Sequence, residues 1–524
     1  MEAHTLQRKR LLLKSSLLNL LGQVLPMLVG IAVIPYLVHG LGVNGYGILS
    51  IAYLVLGYFS IFNLGLSRAT VKFVAEHLSP DRVHKVPEIV WTSFLLLITI
   101  GTVVGVSAAF FVPWAVTSVF KMPASFVGEA RTGLFILCAA MPVMLGTDAV
   151  RGVLEAAQRF DLINAVRVPT SVGFFGLAAL AVALHVKVPG VILILVAVRF
   201  ASGTAYMLMC MRVFPGLRSR PRLSRAALRP LTVFGGWIMI SNITGPVFGY
   251  IERFMIASIL SVGMLTYYTV PFDVVGKVLI FPMSIVPSLF PYFSYHGDRG
   301  REAVRDVTSR TAKYILLALT PITAVFVFFS NDILRLWMGS AFAAQGAEVM
   351  QIVAVLFFVN AFSMIPYTSV QALGRPELKA ILDVVALPFY VALAWWLMHR
   401  SGVNGAAIAK LLLTIFDCLC LYLFAWKMKA FRVRDCFSGP LFRAMAASAG
   451  LFGCVFVVRS LNLNLIPSGL LLLLCFIVYA SIFWITAVDG RERTTLKGLM
   501  QQGISLVVSW RSRTAVQASG DNGL

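Results

Sequence analysis

Asp148, Arg151 and Glu155 recur at i, i+3 and i+7 inside a run that is otherwise apolar. At helical spacing they share one face and can pair with one another. Asp273 and Lys277 stand four residues apart, which again invites a local pair. Arg167 and Arg199 have no acidic residue three or four positions away. Their partner must be another helix, water or an anionic ligand. Lys410 sits in a later apolar run, Asp383 opens another, and the adjacent Glu252 and Arg253 close a third. An ionised group in hydrocarbon costs at least roughly 3 kcal/mol on insertion scales, so such groups face a cavity or a partner. Arg151, Arg199, Lys277 and Lys410 are therefore candidates to line a wet cleft and meet an anionic ligand there. Asp148, Glu155, Arg167, Asp273, Asp383, Glu252 and Arg253 are candidates for gating or structural ion pairs.

The elements that must hold these charges follow from composition. Of 524 residues 59% are hydrophobic and only 13% charged, against roughly a quarter in soluble proteins. Mean hydropathy is +0.86. Apolar runs of about 20 residues mark spanning helices, and they fall near 16–39, 45–67, 89–115, 132–156, 164–184, 191–211, 231–251, 264–290, 314–330, 348–372, 380–398, 405–425, 444–458 and 467–487. The expected fold is thus an all-α polytopic membrane protein of about 14 helices. Of the 44 Lys and Arg, 32 lie in the termini and even-numbered loops, 7 in odd-numbered loops and 5 within spans. That bias puts both termini in the cytoplasm. The net charge of +22 is spread over separate loops, not gathered into one basic stripe, which argues against nucleic acid.

Met211–Pro230, MRVFPGLRSRPRLSRAALRP, carries six arginines and three prolines between two apolar blocks. It reads as a solvated cytoplasmic loop. The chain before it is weakly repeated after it. Leu154–Arg167 (LEAAQRFDLINAVR) aligns with Val370–Asp383 (VQALGRPELKAILD) at an offset of 216 residues, and Val188-Pro189-Gly190 with Val403-Asn404-Gly405 at 215. Each half holds an even number of spans, so the two six-helix pseudo-repeats are parallel, related by an axis along the membrane normal. The expected organisation is an N-terminal lobe (1–214), a basic linker (215–229), a C-terminal lobe (230–428), then two added helices and a cytoplasmic tail (429–524). Within the tail, 494–510 is amphipathic enough to lie on the membrane surface. Arg167 and Asp383 occupy equivalent repeat positions with opposite sign, which suggests a pair formed across the cleft.

The seven cysteines fit neither a zinc site nor a disulfide scaffold. No P-loop is present. No metal, cofactor or catalytic constellation is expected, and the chain does not read as an enzyme.

Leu41-Gly42 with Tyr46-Gly47, Phe62-Asn63-Leu64-Gly65-Leu66 with Arg68, and Tyr250-Ile251-Glu252-Arg253-Phe254 followed by Tyr267-Tyr268 resemble the bacterial polysaccharide-biosynthesis flippases. These are Wzx-type lipid-linked oligosaccharide flippases of the multidrug/oligosaccharidyl-lipid/polysaccharide exporter superfamily. The family more often has Asp where this chain has Asn63 and Glu252. The resemblance covers about residues 16–430. It implies translocation of a polyprenyl-diphosphate-linked glycan across the bacterial inner membrane for O-antigen, capsule or exopolysaccharide synthesis, by alternating access. It also implies membrane lipids, a polysaccharide polymerase and chain-length machinery as partners.

Three other readings compete. A cation-coupled drug or metabolite exporter of the same superfamily would favour carboxylates in the first span, which has Gln23 and no Asp or Glu. A lipid II flippase shares the architecture. A membrane glycan polymerase or ligase would need a charged cluster on a long outward loop, and the outward loops here are short.

Overall fold

The structure, a computed structural model of the chain, describes residues 2–62, 66–79, 81–219, 221, 223–225, 227–233, 249, 251–286, 289–296, 301–375, 377–428, 439–461 and 463–488. Among these, 92% are helical and none is in a strand. In a bilayer every backbone polar group must find its partner internally, and helices do this within one segment.

The first half runs through α1 (Glu2–Phe62), α2 (Leu66–Glu76), α3 (Val86–Trp114), α4 (Ala124–Ala156), α5 (Phe160–Ala183) and α6 (Val188–Val213). The second half holds α7 (Val262–Val275), α8 (Ile280–Ile285), α9 (Leu289–His296), α10 (Arg301–Phe328), α11 (Ser330–Met338), α12 (Ser340–Ala372) and α13 (Glu377–Lys427). Two further helices follow, α14 (Gly439–Ser460) and α15 (Leu465–Thr486). Among the described residues, eleven helical segments are long and apolar enough to cross a membrane. Two of these hold two expected spans each. α1 breaks at Gly42 (φ 71°, ψ 166°), and α13 breaks at Ser401 and Gly402. The span expected at 231–251 lies mostly outside the described residues, as do 429–438 and the amphipathic tail stretch.

The aligned repeat segments share a local conformation. α4 ends in a Schellman turn: Gln158 N–H donates to Glu155 O (3.0 Å) and Arg159 N–H to Leu154 O (2.9 Å), with Gln158 left-handed at φ 56°. α12 ends the same way. Gly374 N–H donates to Gln371 O (3.0 Å) and Arg375 N–H to Val370 O (3.1 Å), with Gly374 at φ 78°. Every donor and acceptor is shifted by the 216 residues that align the sequences.

Packing divides the chain into two compact units. The first comprises residues 1–277, 330–353 and 377–414; the second, 278–329, 354–376 and 415–524. The boundaries cut α12 and α13 rather than the basic linker. The first unit has an apolar core in which Val74, Val86, Ile89, Val90, Val150, Val153, Leu154 and Ile163 meet Tyr206, Cys210 and Leu217. α2 through α6 are thereby tied together at the end that carries Arg167 and the start of the basic linker. In the second unit, Thr320 donates to Ser448 (3.2 Å), which meets the Tyr479 hydroxyl (3.2 Å), which donates to Leu316 O (3.1 Å). That chain of hydroxyls joins α10, α14 and α15 where hydrocarbon surrounds them. Lys313, buried there, donates to the carbonyl of Ala487 (3.0 Å) just past the end of α15. It caps an otherwise orphaned helix C-terminus.

Candidate functional site

Two charged constellations stand in the first unit. One lies on α4, α5 and α6. Arg199 and Tyr206 are seven residues apart on α6 and so share a face. Tyr206 is buried and its hydroxyl donates to Ile163 O on α5 (3.4 Å). Arg151 from α4, Arg167 from α5 and Arg199 from α6 all come within electrostatic range of that hydroxyl, together with Asp148. Arg199 also lies near Asp148 and Arg151. Its guanidinium rests over the ring of Phe174 at 5.5 Å, and Phe174 packs in turn on Tyr53 of α1. An aromatic face fixes a guanidinium plane while leaving its N–H fork free to bond.

Arg151, Arg167 and Arg199 are exposed, as is Glu155. Among the described residues none of the three arginines closes an ion pair within 4 Å. The local pairing that the Asp148–Arg151–Glu155 spacing invites is therefore not made in this structure. Guanidinium groups from three helices, with Asp148, instead lie within electrostatic range of the one Tyr206 hydroxyl.

The second constellation is buried. Residues 251–255 continue as a π-turn over Ile256–Leu260 before α7. Glu252 has no exposed surface. Its Oε2 accepts from the Lys410 ammonium (3.2 Å) and from the Tyr390 hydroxyl (3.3 Å), both on α13. Lys410 also lies over the Tyr390 ring, 5.4 Å from its centre. Next in sequence, Arg253 donates to Asp273 Oδ1 (2.5 Å) and rests over Phe272. The side chains of Arg253 and Lys410 keep only 8% and 12% of their surface. Tyr46 and Tyr53 of α1 lie within range of Asp273.

The structure thus sorts the sequence-derived residues. Asp273 pairs with Arg253 rather than with Lys277. The i, i+4 rule requires a continuous α-helix, and α7 tightens to a 3-10 turn at Gly276–Leu279, which swings Lys277 off the shared face. Lys277 is exposed. Lys410 is engaged by Glu252, not displayed to solvent. Asp383 takes Lys379 on its own helix (2.5 Å), and no ion pair joins it to Arg167 in this structure.

Sequence reasoning missed Tyr390 as the second ligand of Glu252. It also missed a strap that ties residues before the linker to residues after it. Lys121 N–H donates to Ala257 O (3.1 Å), Val262 N–H donates to Lys121 O (3.3 Å), and the Lys121 ammonium donates to Ile259 O (2.5 Å). Beside it, Thr266 donates to Val43 O (2.8 Å), and Trp337 Nε1 donates to Ile31 O (3.2 Å). A Lys placed opposite a hydrophobic run leaves a weak signal, because the carbonyls it caps carry no side-chain signature.

A helical membrane protein of this span order has the fold of flippases and multidrug exporters. A solved "Lipid II flippase MurJ, inward closed conformation" superposes with a TM-score of 0.68 at 13% identity, over 90% of this chain and 99% of that one. An inward-facing MATE-family multidrug transporter of the MOP superfamily superposes with a TM-score of 0.63 at 13% identity, over 77% and 95%. The chain belongs to the polysaccharide biosynthesis protein family, whose model matches residues 12–296. It is a multi-pass membrane transporter. The "Putative O-antigen transporter" of Shigella flexneri is 26% identical over 415 residues, which are 78% of this chain and 96% of that protein. The "Probable flippase AglR" of Haloferax volcanii is 21% identical over 418 residues, 76% and 80% of the two chains.

Proposed function

We propose that the protein moves polyprenyl-diphosphate-linked oligosaccharide units from the inner to the outer leaflet of the bacterial inner membrane, for surface polysaccharide synthesis. The observation that carries this reading is the convergence of Arg151, Arg167 and Arg199 around Tyr206. A diphosphate carrying sugars cannot cross about 30 Å of hydrocarbon without its hydration being replaced. Guanidinium forks bind phosphate oxygens in pairs, and an aromatic platform holds one of them ready. Exposed Lys277 belongs with this cationic lining, whereas Lys410 leaves it because its ammonium is held by Glu252. The name of the Shigella relative, an O-antigen transporter, supports a glycan as the cargo, and that of the Haloferax relative supports flipping as the activity. The polyprenyl tail stays in lipid while the headgroup passes.

The loops that meet at the Lys121 strap belong to the face that the charge bias makes non-cytoplasmic, with both termini inside. Closure of that face would be one state of an alternating cycle. Polymerase and chain-length machinery would receive the cargo outside.

The test is complementation of a strain lacking the protein. Arg151→Ala, Arg167→Ala and Arg199→Ala each remove charge-assisted bonds of about 1.5–3 kcal/mol, and each should lower surface glycan about tenfold or more at normal protein level. Wild-type export by all three would overturn the reading.

A further inference from the structure

Glu252 is the carboxylate that a coupling ion would need. It is wholly buried, and its Oε1 has no hydrogen-bond partner among the described residues. Oxygen ligands converge on it. The Tyr390 hydroxyl lies 3.3 Å from Oε2, and the buried Tyr268 hydroxyl lies within electrostatic range, as does the Arg253 guanidinium. Arg253 is committed to Asp273. A carboxylate with phenolic oxygens around it, shielded from water, is a fit place for a proton or for sodium, which takes hard oxygen ligands. The place beside Oε2 is filled by Lys410 Nζ at 3.2 Å.

We propose that Lys410 is a tethered counter-ion: its ammonium occupies the position that a mobile cation or proton would otherwise take beside Glu252. A buried ion pair gains little stability over an apolar pair of the same volume, because desolvation offsets the attraction. Stability is thus a weak reason for Lys410 to be there, and closing the site to mobile ions is a stronger one. A free carboxylate here would bind and release ions as the halves move, linking the cycle to an ion gradient. An ammonium held on its own side chain cannot dissociate into either compartment. Transport then does not draw on sodium or protons through Glu252, which separates this chain from a cation-coupled exporter that uses a buried carboxylate in this unit.

The test needs no glycan and so stands apart from the flippase reading. The full chain, purified in detergent, is melted in sodium and in choline at equal ionic strength, from neutral to mildly acid pH. The wild-type midpoint should not respond to the exchange. Lys410→Met should melt lower at neutral pH and regain a few degrees in sodium or on acidification, because a ligand that binds only the folded state stabilises it. Adding Glu252→Gln to Lys410→Met should abolish that response. A wild-type midpoint that rises with sodium and loses the rise in Glu252→Gln would overturn the proposal. Indifference of Lys410→Met to both sodium and acid would also overturn it. Should Lys410→Met not survive purification, Lys410→Arg and the double variant decide the matter. Both should purify and be insensitive to sodium, and failure of either one contradicts the proposal.

Discussion

Arg253 and Asp273 show what one charged contact contributes where hydrocarbon surrounds the protein. Removing one partner of a fully buried pair costs roughly 3–5 kcal/mol, since the other charge is stranded. Asp273 keeps 39% of its side-chain surface, so Arg253→Ala should cost less, about 2 kcal/mol. Asp273→Ala added to it should recover part of the loss, and thermal midpoints of single and double variants measure both. A loss unchanged in the double variant would mean that the guanidinium works through Phe272 instead. This pair also marks where sequence reading stops. Charges three or four residues apart are visible in the chain, and Lys379–Asp383 is of that kind. Arg253–Asp273 spans 20 positions and Lys410–Glu252 spans 158, and no periodicity points at such partners. Arg167 and Arg199 were legible as charges lacking local acids, whereas Arg151 stands between Asp148 and Glu155 in the sequence. That the three meet at Tyr206 depends on how α4, α5 and α6 cross.

At the scale of elements, the paired Schellman turns carry the repeat in their backbones. The left-handed residue after α12 is Gly374, which adopts φ 78° without a Cβ penalty. The equivalent residue after α4 is Gln158, exposed and at φ 56°, where an L side chain costs roughly 1–2 kcal/mol. Gln158→Gly should therefore stabilise the protein by about 1 kcal/mol, and Gly374→Ala should destabilise it by a similar amount. Opposite results in the melting midpoints would deny that the two turns are equivalent. α1 and α7 make a second elemental contact. A Cβ on Gly47 would stand 2.1 Å from the carbonyl oxygen of Val262, closer than any real contact. Gly47→Ala must therefore push α7 away, and cross-linking of cysteines placed at 43 and 266 should fall relative to the parent. Helix positions were readable because apolar length alone sets them. The joins at Gly42 and Ser401–Gly402 were legible as gaps between runs. The π-turn at Ile256–Leu260 was not, because no residue there signals an extra backbone position.

For the whole molecule, charge bias gives a topology that can be tested without a structure. Cys436 lies in an even-numbered loop, outside the described residues. It should react with membrane-impermeant maleimide only after the inner face is opened. Labelling of intact spheroplasts would reverse the orientation, and with it the side from which cargo enters. The repeat suggests lobes at 1–214 and 230–428, and the compact units are a separate description of the chain with boundaries inside α12 and α13. The first unit takes the whole N-terminal half together with parts of the second, joined through Lys121, Thr266 and Trp337. Repeat boundaries record how a chain was duplicated, whereas packing records which surfaces are closed in one conformation, so the two need not coincide. The central claim is that Arg151, Arg167 and Arg199 carry a diphosphate headgroup between leaflets. It is tested most directly with purified protein in proteoliposomes loaded with a polyprenyl-diphosphate-linked oligosaccharide, following the sugar's exposure to an external glycosidase. The wild-type chain should bring the protected inner pool to the outside, and the triple alanine variant should leave it protected. Equal exposure by both chains would contradict the account.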